Sequence, residues 1–415
     1  MIIQEARLFI TAKAGYRLKI SFGTIKVTPR SKKIISEILK TERLSCGKYV
    51  DLFERKFASL IGTKSAVSVG SGTDALVLAL AVMYDYAAKR GDEVILPALS
   101  FVATGNAVLE AGFKPVFVDV KRQTLNIDPA RIEKVITKRT KAILPVHLMG
   151  KPAEMDFIKA VAKKHKLLVI EDAAEAHGAV YKGRNVGSIG DMAGFSLYVA
   201  HIISTVEGGI VTTNNSGYDE IIRSLRSHGR ACKCRSCLLN TKSAYCPRRF
   251  NNKNGQDIRF LFERAGFSSK MNELEAAVGI GNLDLFDDIL KKRRKNLYYL
   301  MDKIRQFSRH LVSIDKLPYE EIGPHALPIV IQEKSGFSRE QYLNFLCKNG
   351  IDARTLFSCI PTQCSGFTFL GYKPGDFPNA EYIGNNGIHI GVHQDMGKRE
   401  CDYFLDLTKK FVSQY

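Results

Sequence analysis

The residues best suited to chemistry lie between Leu167 and Thr213. A short apolar run, Leu167–Ile170, ends on two acids, Glu171 and Asp172. Downstream come Ser196-Leu197-Tyr198, a lone His201 and the turn Glu207-Gly208-Gly209. An apolar strand ending in a carboxylate points to the ligand crevice outside the carboxyl ends of the strands of an α/β sheet. His201 is the side-chain type that takes up or gives back a proton near neutral pH.

A second constellation is Cys232-x-Cys234-x2-Cys237-x8-Cys246, followed by Pro247. It gathers four of the nine cysteines into fifteen residues. In a cytoplasmic enzyme such a cluster reads as metal-binding rather than disulfide-bonded. Four thiolates can hold an iron–sulfur cluster or a zinc ion, and the residue types leave both open. The segment is polar and basic, so metal ligation would order a loop with little apolar content of its own. Lys233, Arg235, Arg248 and Arg249 beside it would attract an acidic electron donor such as a ferredoxin or flavin reductase.

The elements that must position these groups follow from pattern. Residues 65–83 read as a strand, a Gly-rich turn and a helix beginning near Thr73. The open amides of a helix start bind phosphate, and Gly70 and Gly72 let the backbone come close. Strands are expected at Glu93–Leu96, Val116–Val118 and Ala142–Val146, and helices at Asp128–Lys138 and Ala153–Lys166. This alternation predicts a mainly parallel sheet covered on both faces. Before it, a helix from Val27 carries Ile34, Ile35 and Leu39 on one face, and a second runs from Val50 to Leu60. After it come helices over 218–230 and 289–306 and a strand at Ala326–Ile331. The domains expected are an N-terminal extension (1–24), a large domain (25–290) with a cysteine-rich insert (231–254), and a smaller C-terminal α+β domain (291–415).

Hydrophobic residues make up 45% of the chain and charged residues 25%, which places it among globular proteins. A formal net charge of +19 raises the question of nucleic acid. The basic residues are scattered and no nucleic-acid motif accompanies them, so an anionic substrate, an acidic partner or a solvated surface is the reading. No apolar run has the length of a membrane span, and Glu5, Arg7 and Lys13 interrupt any leader-like core. A cytoplasmic protein is expected.

The strings EDAAEAHGA and SLYVAHIISTVEGG resemble EDAAQAHGA and SFxxTKNxTxGEGG of the nucleotide-sugar aminotransferase family of fold-type I pyridoxal phosphate (PLP) enzymes. SGTDAL, PALSFVAT, RSHG and GFSSKMNELEAAVG resemble that family's GTxAL, PSxTFVAT, RxHG and GYNYRMSELQAAIG. The resemblance implies that Gly72, Thr73 and Ser196 hold the cofactor phosphate. It places Phe101 against the ring, Asp172 at the pyridinium nitrogen and Glu175 near the ring hydroxyl. Ser268 stands where an Asn of the family reaches the partner subunit's phosphate, so a homodimer is expected. The family's Schiff-base lysine falls on His201, and no lysine lies between Lys182 and Lys233. An imidazole cannot form the lysine's covalent link to the cofactor but can act as a base.

A histidine at this place resembles the 3-dehydratases of 4-keto-6-deoxy nucleotide sugars, which implies PMP or PLP held without a covalent bond. Lys270, Arg354-Thr355-Leu356-Phe357 and His389-Ile390-Gly391-Val392-His393 resemble the same branch. One kind of branch member hydrolyses its adduct, as in the colitose pathway. The other, of CDP-4-keto-6-deoxyglucose 3-dehydratase type, uses an iron–sulfur centre and a reductase. That type's distant ligand falls on Ala174 here, which leaves Cys237 as the fourth thiol. A non-catalytic sugar-binding protein with structural zinc is the competing expectation.

Overall fold

A computed structural model of the chain describes residues 19–415, apart from 233, 236, 243, 253 and 254 and the side chain of 240. Most of the expected N-terminal extension, and Lys233 of the basic surround, therefore lie outside the described residues. Strands β1 (Ser65–Val69), β2 (Glu93–Pro97), β3 (Lys114–Val118), β4 (Thr140–Ile143) and β5 (Leu168–Asp172) are followed by the short pair β6 (Val180–Tyr181) and β7 (Arg184–Asn185). Next come β8 (Met192–Ser196) and β9 (Gly209–Thr213). Five of these join β8 and β9 in a seven-stranded sheet of order β1-β9-β8-β5-β4-β2-β3. Only β9 runs antiparallel to its neighbours.

Two apolar layers sandwich this sheet, and strand alternation sorts residues between them. Val94, Leu96, Leu144 and Ile170 face one layer. Ile95, Ile143, Val169 and Phe195 face the other. Burial on both faces is why these strands read as continuous apolar runs. The expected mainly parallel α/β architecture is the one observed.

Helices α1 (Pro29–Thr41) and α2 (Lys48–Ile61) pack on the helix Glu273–Asp284. Thr28 caps α1 through Ser31 N. The inward face of α1 is Ile34 and Ile38; Leu39 is 55% exposed, contrary to expectation. With 3.6 residues per turn, i+4 stays on the face and i+5 rotates away. The helix expected at Asp128–Lys138 covers only Pro129–Ile132 plus one 3₁₀ turn, Glu133–Val135. Ile136 is already extended, and Thr137 N turns to Thr140 Oγ1 at 2.9 Å. The helix expected over 218–230 ends at Leu225. His228 and Gly229 adopt positive φ of 66° and 77°, a left-handed turn that no helix continues through.

The C-terminal part adds β10 (Leu311–Val312), β11 (Glu320–Glu321), β12 (Ala326–Ile331), β13 (Ala353–Thr355) and β14 (Gly387–Gly391). β11 extends the β6–β7 pair. The others form an antiparallel sheet of order β10-β12-β14-β13. Lys19–Thr24, which matched no pattern, docks here: Ile20 bridges Ile351, and Phe22 meets the His389 ring edge-on at 5.1 Å. A side chain at Gly391 would collide with Phe22 O, its Cβ lying 2.0 Å away, so this approach requires glycine. Among the described residues no helix is long and apolar enough to cross a membrane.

A buried charge cluster pins α2 to β1 and to the segment after the 216–225 helix. Glu54, 3% exposed, accepts from Ser68 N at 3.0 Å and from Ser68 Oγ at 2.8 Å. It also accepts from Arg223 at 2.8 Å and from Arg226 at 2.6 Å. Burial alone would raise its pKa, but the two guanidiniums outweigh it and bring it to about 2. Glu54→Gln should cost about 3–5 kcal/mol in denaturant unfolding, because buried Arg226 loses its counter-charge, while Arg223 keeps Asp219. The folded pKa lies below the unfolded one. The contribution is therefore present above pH ~4.5 and fades as pH falls toward 2, so the gap between wild type and variant should close over that window.

Candidate active site

The end of β5 carries two adjacent carboxylates on opposite faces, as strand alternation demands. Glu171 turns inward. It accepts from the amides of Gly187 (3.0 Å), Ile189 (2.9 Å) and Gly190 (2.6 Å) and meets His147 Nε2 at 3.1 Å. Because His147 Nδ1 accepts from Ala153 N, its Nε2 carries the proton and donates to Glu171. Burial opposes the Glu171 charge, yet His147 and the loop amides hold its pKa below the usual carboxylate range.

Asp172 turns toward a cleft of about 340 Å³, within the range of small-ligand pockets. Thr104 donates to its Oδ2 at 2.7 Å and Ala174 N to its Oδ1 at 3.2 Å. Burial raises its pKa, and those two bonds limit the rise.

One wall of the cleft is the start of helix α3 (Gly72–Ala81), where Ser71 caps Asp74 N. The amides of a helix's first turn have no intrahelical acceptor, so this end suits an anion. Gly72 is needed there: an added Cβ would lie 2.7 Å from Ser196 Cβ at the end of β8. Gly72, Thr73 and Ser196 thus line one corner. Phe101, just before helix α4 (Val102–Glu110), forms another wall with its ring 55% exposed and 5.5 Å from that of Phe357.

Glu175 and His201 close the floor. Glu175 accepts from Met149 N at 2.8 Å and faces His325 Nε2 at 3.3 Å. Burial, with Asp172 adding to it, raises its pKa to about 8. The His201 ring lies 5.1 Å from that of His325 and 6.1 Å from that of His177. Burial, then the charge of Arg293, lowers its pKa to about 3, so the imidazole is neutral throughout the physiological range. In the resting site the ring is therefore a free acceptor rather than a cation. Among the described residues no lysine lines the cleft.

Seven expected residues, Gly72, Thr73, Phe101, Asp172, Glu175, Ser196 and His201, therefore converge. Ser268, expected at the partner subunit's site, is exposed in this chain and pairs with Ser227. Its neighbour Ser269, passed over in the sequence, accepts from Gly70 N at 3.0 Å and donates to Asp74 at 2.7 Å. Thr104 was also missed, although its place three residues after Phe101 marks the facing turn of a helix start. Phe357 lies in the Arg354-Thr355-Leu356-Phe357 string but had no role assigned to it, and His325 carries no local signal.

Cys232, Cys234, Cys237 and Cys246 line one cavity of about 470 Å³ with Arg235, Arg248, Arg249 and Arg259. Burial and the neighbouring Cys232 raise the Cys234 pKa to about 11. Among the described residues no three His, Cys, Asp or Glu side chains meet closely enough to hold a metal ion. The donor type suits a metal centre; the side-chain placement is looser than ligation requires.

A seven-stranded, largely parallel sheet with a cleft at the ends of β5 and β8 defines a fold-type I PLP-dependent transferase. The chain belongs to the DegT/DnrJ/EryC1/StrS aminotransferase family, whose pattern matches residues 26–407. It is 32% identical over 383 residues to dTDP-4-dehydro-2,6-dideoxy-D-glucose 3-dehydratase of Saccharopolyspora spinosa, covering 90% of this chain and 82% of the relative. It is also 32% identical over 380 residues to dTDP-3-amino-3,6-dideoxy-α-D-galactopyranose transaminase of Aneurinibacillus thermoaerophilus, covering 91% and 94%. The Escherichia coli GDP-4-keto-6-deoxy-D-mannose-3-dehydratase structure with bound hydrated PLP superposes with a TM-score of 0.80 at 28% identity. That match covers 94% of this chain and all of the other. Dehydratases and transaminases thus stand at similar distances.

Thr104→Val should lower stability by about 1–3 kcal/mol in urea unfolding, the cost of a buried acceptor left without its donor. A variant as stable as wild type would mean that Asp172 finds another donor.

Proposed function

We propose that the protein is a PMP-dependent 3-dehydratase of a 4-keto-6-deoxy nucleotide-activated sugar. The observation that carries the reading is a cleft without lysine whose floor holds a neutral histidine. The residues present suit the cofactor. Gly72, Thr73 and Ser196 would hold its phosphate, Phe101 its ring face, Glu175 its hydroxyl side and Asp172 its ring nitrogen. When bound, PMP supplies an amine for a C4 ketone and a ring that takes up electrons.

The chain's own residues do the rest. Asp172, steadied by Thr104 and Ala174, keeps a proton on the ring nitrogen. His201 is unprotonated and can accept a proton at a ring nitrogen, while the apolar walls limit water. With the cofactor's ring as electron acceptor, His201 would hand the proton back so that the C3 hydroxyl leaves as water. A transaminase of this fold uses a lysine amine for the same place, and here none is at hand.

The expected fate of the product is reductive, on the evidence of the four clustered thiols. A metal centre at Cys232, Cys234, Cys237 and Cys246, iron–sulfur in type, would supply electron transfer. Arg235, Arg248 and Arg249 favour an acidic donor protein. A homodimer, with large and small domains meeting near residue 290 and a cytoplasmic setting, completes the proposal. Hydrolytic release and a structural zinc are the competing outcomes.

Two tests follow. Borohydride reduction of the PLP-loaded protein should leave no pyridoxyl group on the chain, and His201→Asn should bind cofactor but lose dehydration by about 10²-fold or more. Labelling of any lysine, or wild-type turnover by the variant, would sink the reading. In the second test, protein reconstituted with iron and sulfide should turn brown and be bleached by dithionite. Cys237→Ser should lose most of its iron. Colourless wild-type protein carrying zinc would decide for the structural alternative.

A further inference from the structure

We propose that His325 is a positioning residue that joins His201 to Glu175, so that the three side chains share one proton. The inference rests on the reading of His201 as the base. His325 enters from the turn before β12, far from the other cleft residues in sequence, and is fully enclosed. Its Nε2 faces Glu175 Oε1 at 3.3 Å, and its ring lies 5.1 Å from the His201 ring at a tilt of 36°. Nδ1 of His325 and Nδ1 of His201 are both buried, and neither has a hydrogen-bond partner among the described residues. Buried nitrogens left in this state are uncommon and call for an explanation in function.

The surroundings dictate where a proton can rest. His325 faces His177 after β5, His201, His389 on β14, and Arg293 on the helix Phe286–Ile304. Phe22 covers its remaining edge at 5.8 Å. Arg293 is almost wholly buried and donates to two neutral acceptors, Gln394 Oε1 at 3.0 Å and Pro324 O at 3.3 Å. Its charge opposes a second cation on any of these imidazoles. Burial, then His201, His389, Arg293 and His177, hold the His325 pKa well below that of free histidine. A proton taken up by His201 is therefore unstable where it lands. Glu175 is the carboxyl that faces His325, and it also faces Asp172 and the Met149 amide, while Asp352 acts on His389 and Asp395 on Arg293.

The transfer requires the His325 ring to turn so that Nδ1 meets His201 and Nε2–H aligns with Glu175, since neither contact is a hydrogen bond in the resting site, and it then balances without a co-reactant. The N–H bond on His201 breaks as one forms at His325 Nδ1. The His325 Nε2–H bond breaks as an O–H bond forms on Glu175. His201 is neutral again, and the reverse sequence returns the proton when the leaving hydroxyl needs it. The step requires an ionised Glu175, so turnover should rise with pH as that group loses its proton.

The test uses the full-length protein labelled with ¹⁵N at the imidazoles. In cofactor-free protein the His325 nitrogen shifts should change with a midpoint near 8, reporting Glu175, and Glu175→Gln should abolish that step. His325 shifts that ignore Glu175→Gln would overturn the proposal. His325→Gln keeps a polar side chain but cannot pass a proton. It should bind PMP as wild type by absorbance titration, keep KM, and lose about tenfold in kcat together with the rise in turnover near pH 8. An unchanged kcat and pH profile in His325→Gln overturns the sharing while leaving His201 as base. Wild-type turnover by His201→Asn overturns the base itself.

Discussion

Everything in the cleft depends on two neighbouring carboxylates at the end of β5 being driven to opposite faces. Glu171 is consumed by structure. Three amides of the 187–190 turn and His147 converge on it, which fixes how the chain returns from β5 toward β8. That return sets where Ser196 lies against Gly72. Asp172 is left facing the cleft with only Thr104 and Ala174 N on it. Exchanging the two roles would need a one-residue slip of β5, which would also turn Val169 and Ile170 into the wrong core layers. Core packing thereby guarantees the orientation of the one acid that a bound ring would need.

Electrostatics then divides the titratable groups of the floor. His177, His201 and His325 are all buried, and each is held neutral by burial and by the other charges of the cluster. Arg293 supplies the only permanent charge named against them. Its own pKa is lowered to about 10 by burial despite Asp395, and it still remains a cation at neutral pH. A fixed positive charge behind neutral imidazoles makes them acceptors that do not accumulate protons. Glu175 is pushed the opposite way, toward keeping its proton. Two groups whose surroundings drive their pKa values apart are the usual sign of divided acid and base roles.

Much of this was legible in the chain. Strands buried on both faces announce themselves as apolar runs, and Ala326–Ile331 was readable to the residue. The Gly72–Thr73 helix start and the acid at the end of β5 belong to short local patterns, so they could be placed without tertiary information. Failures came where local pattern and packing disagree. Leu39 fits an apolar face only if five residues make a turn. The 128–138 stretch has helical composition but only Pro129 and Ile132 are buried in its helix. Ser269, next to Ser268, holds Gly70 and Asp74 through a contact that the motif does not announce. His325 and Arg293 were invisible for another reason. They come up against His201 through the packing of the C-terminal sheet and the helix Phe286–Ile304, which no spacing rule records.

The cysteine insert is less separate from the cleft than its place in the chain implies. Arg235, between Cys234 and Cys237, donates to Ser65 Oγ at the start of β1 and lies 3.6 Å from Asp219. The far end of β1 runs into Gly70, which Ser269 holds. A second cavity, about 460 Å³, is lined by Cys46, Cys232, Cys234 and Cys237 on one side and by Arg226, Ser227 and Lys270 on the other. Ser269 N donates to Arg226 O, so the wall of the thiol cavity is one residue from the contact that secures the Gly70 turn. Glu54 sits beneath both, binding Ser68 on one hand and Arg226 on the other. Strand β1 and the Glu54 cluster are thus a common rigid support for the insert and for the start of α3. The thiol cavity is thereby tied to the cleft through buried ion pairs and a buried strand rather than through a loose surface loop.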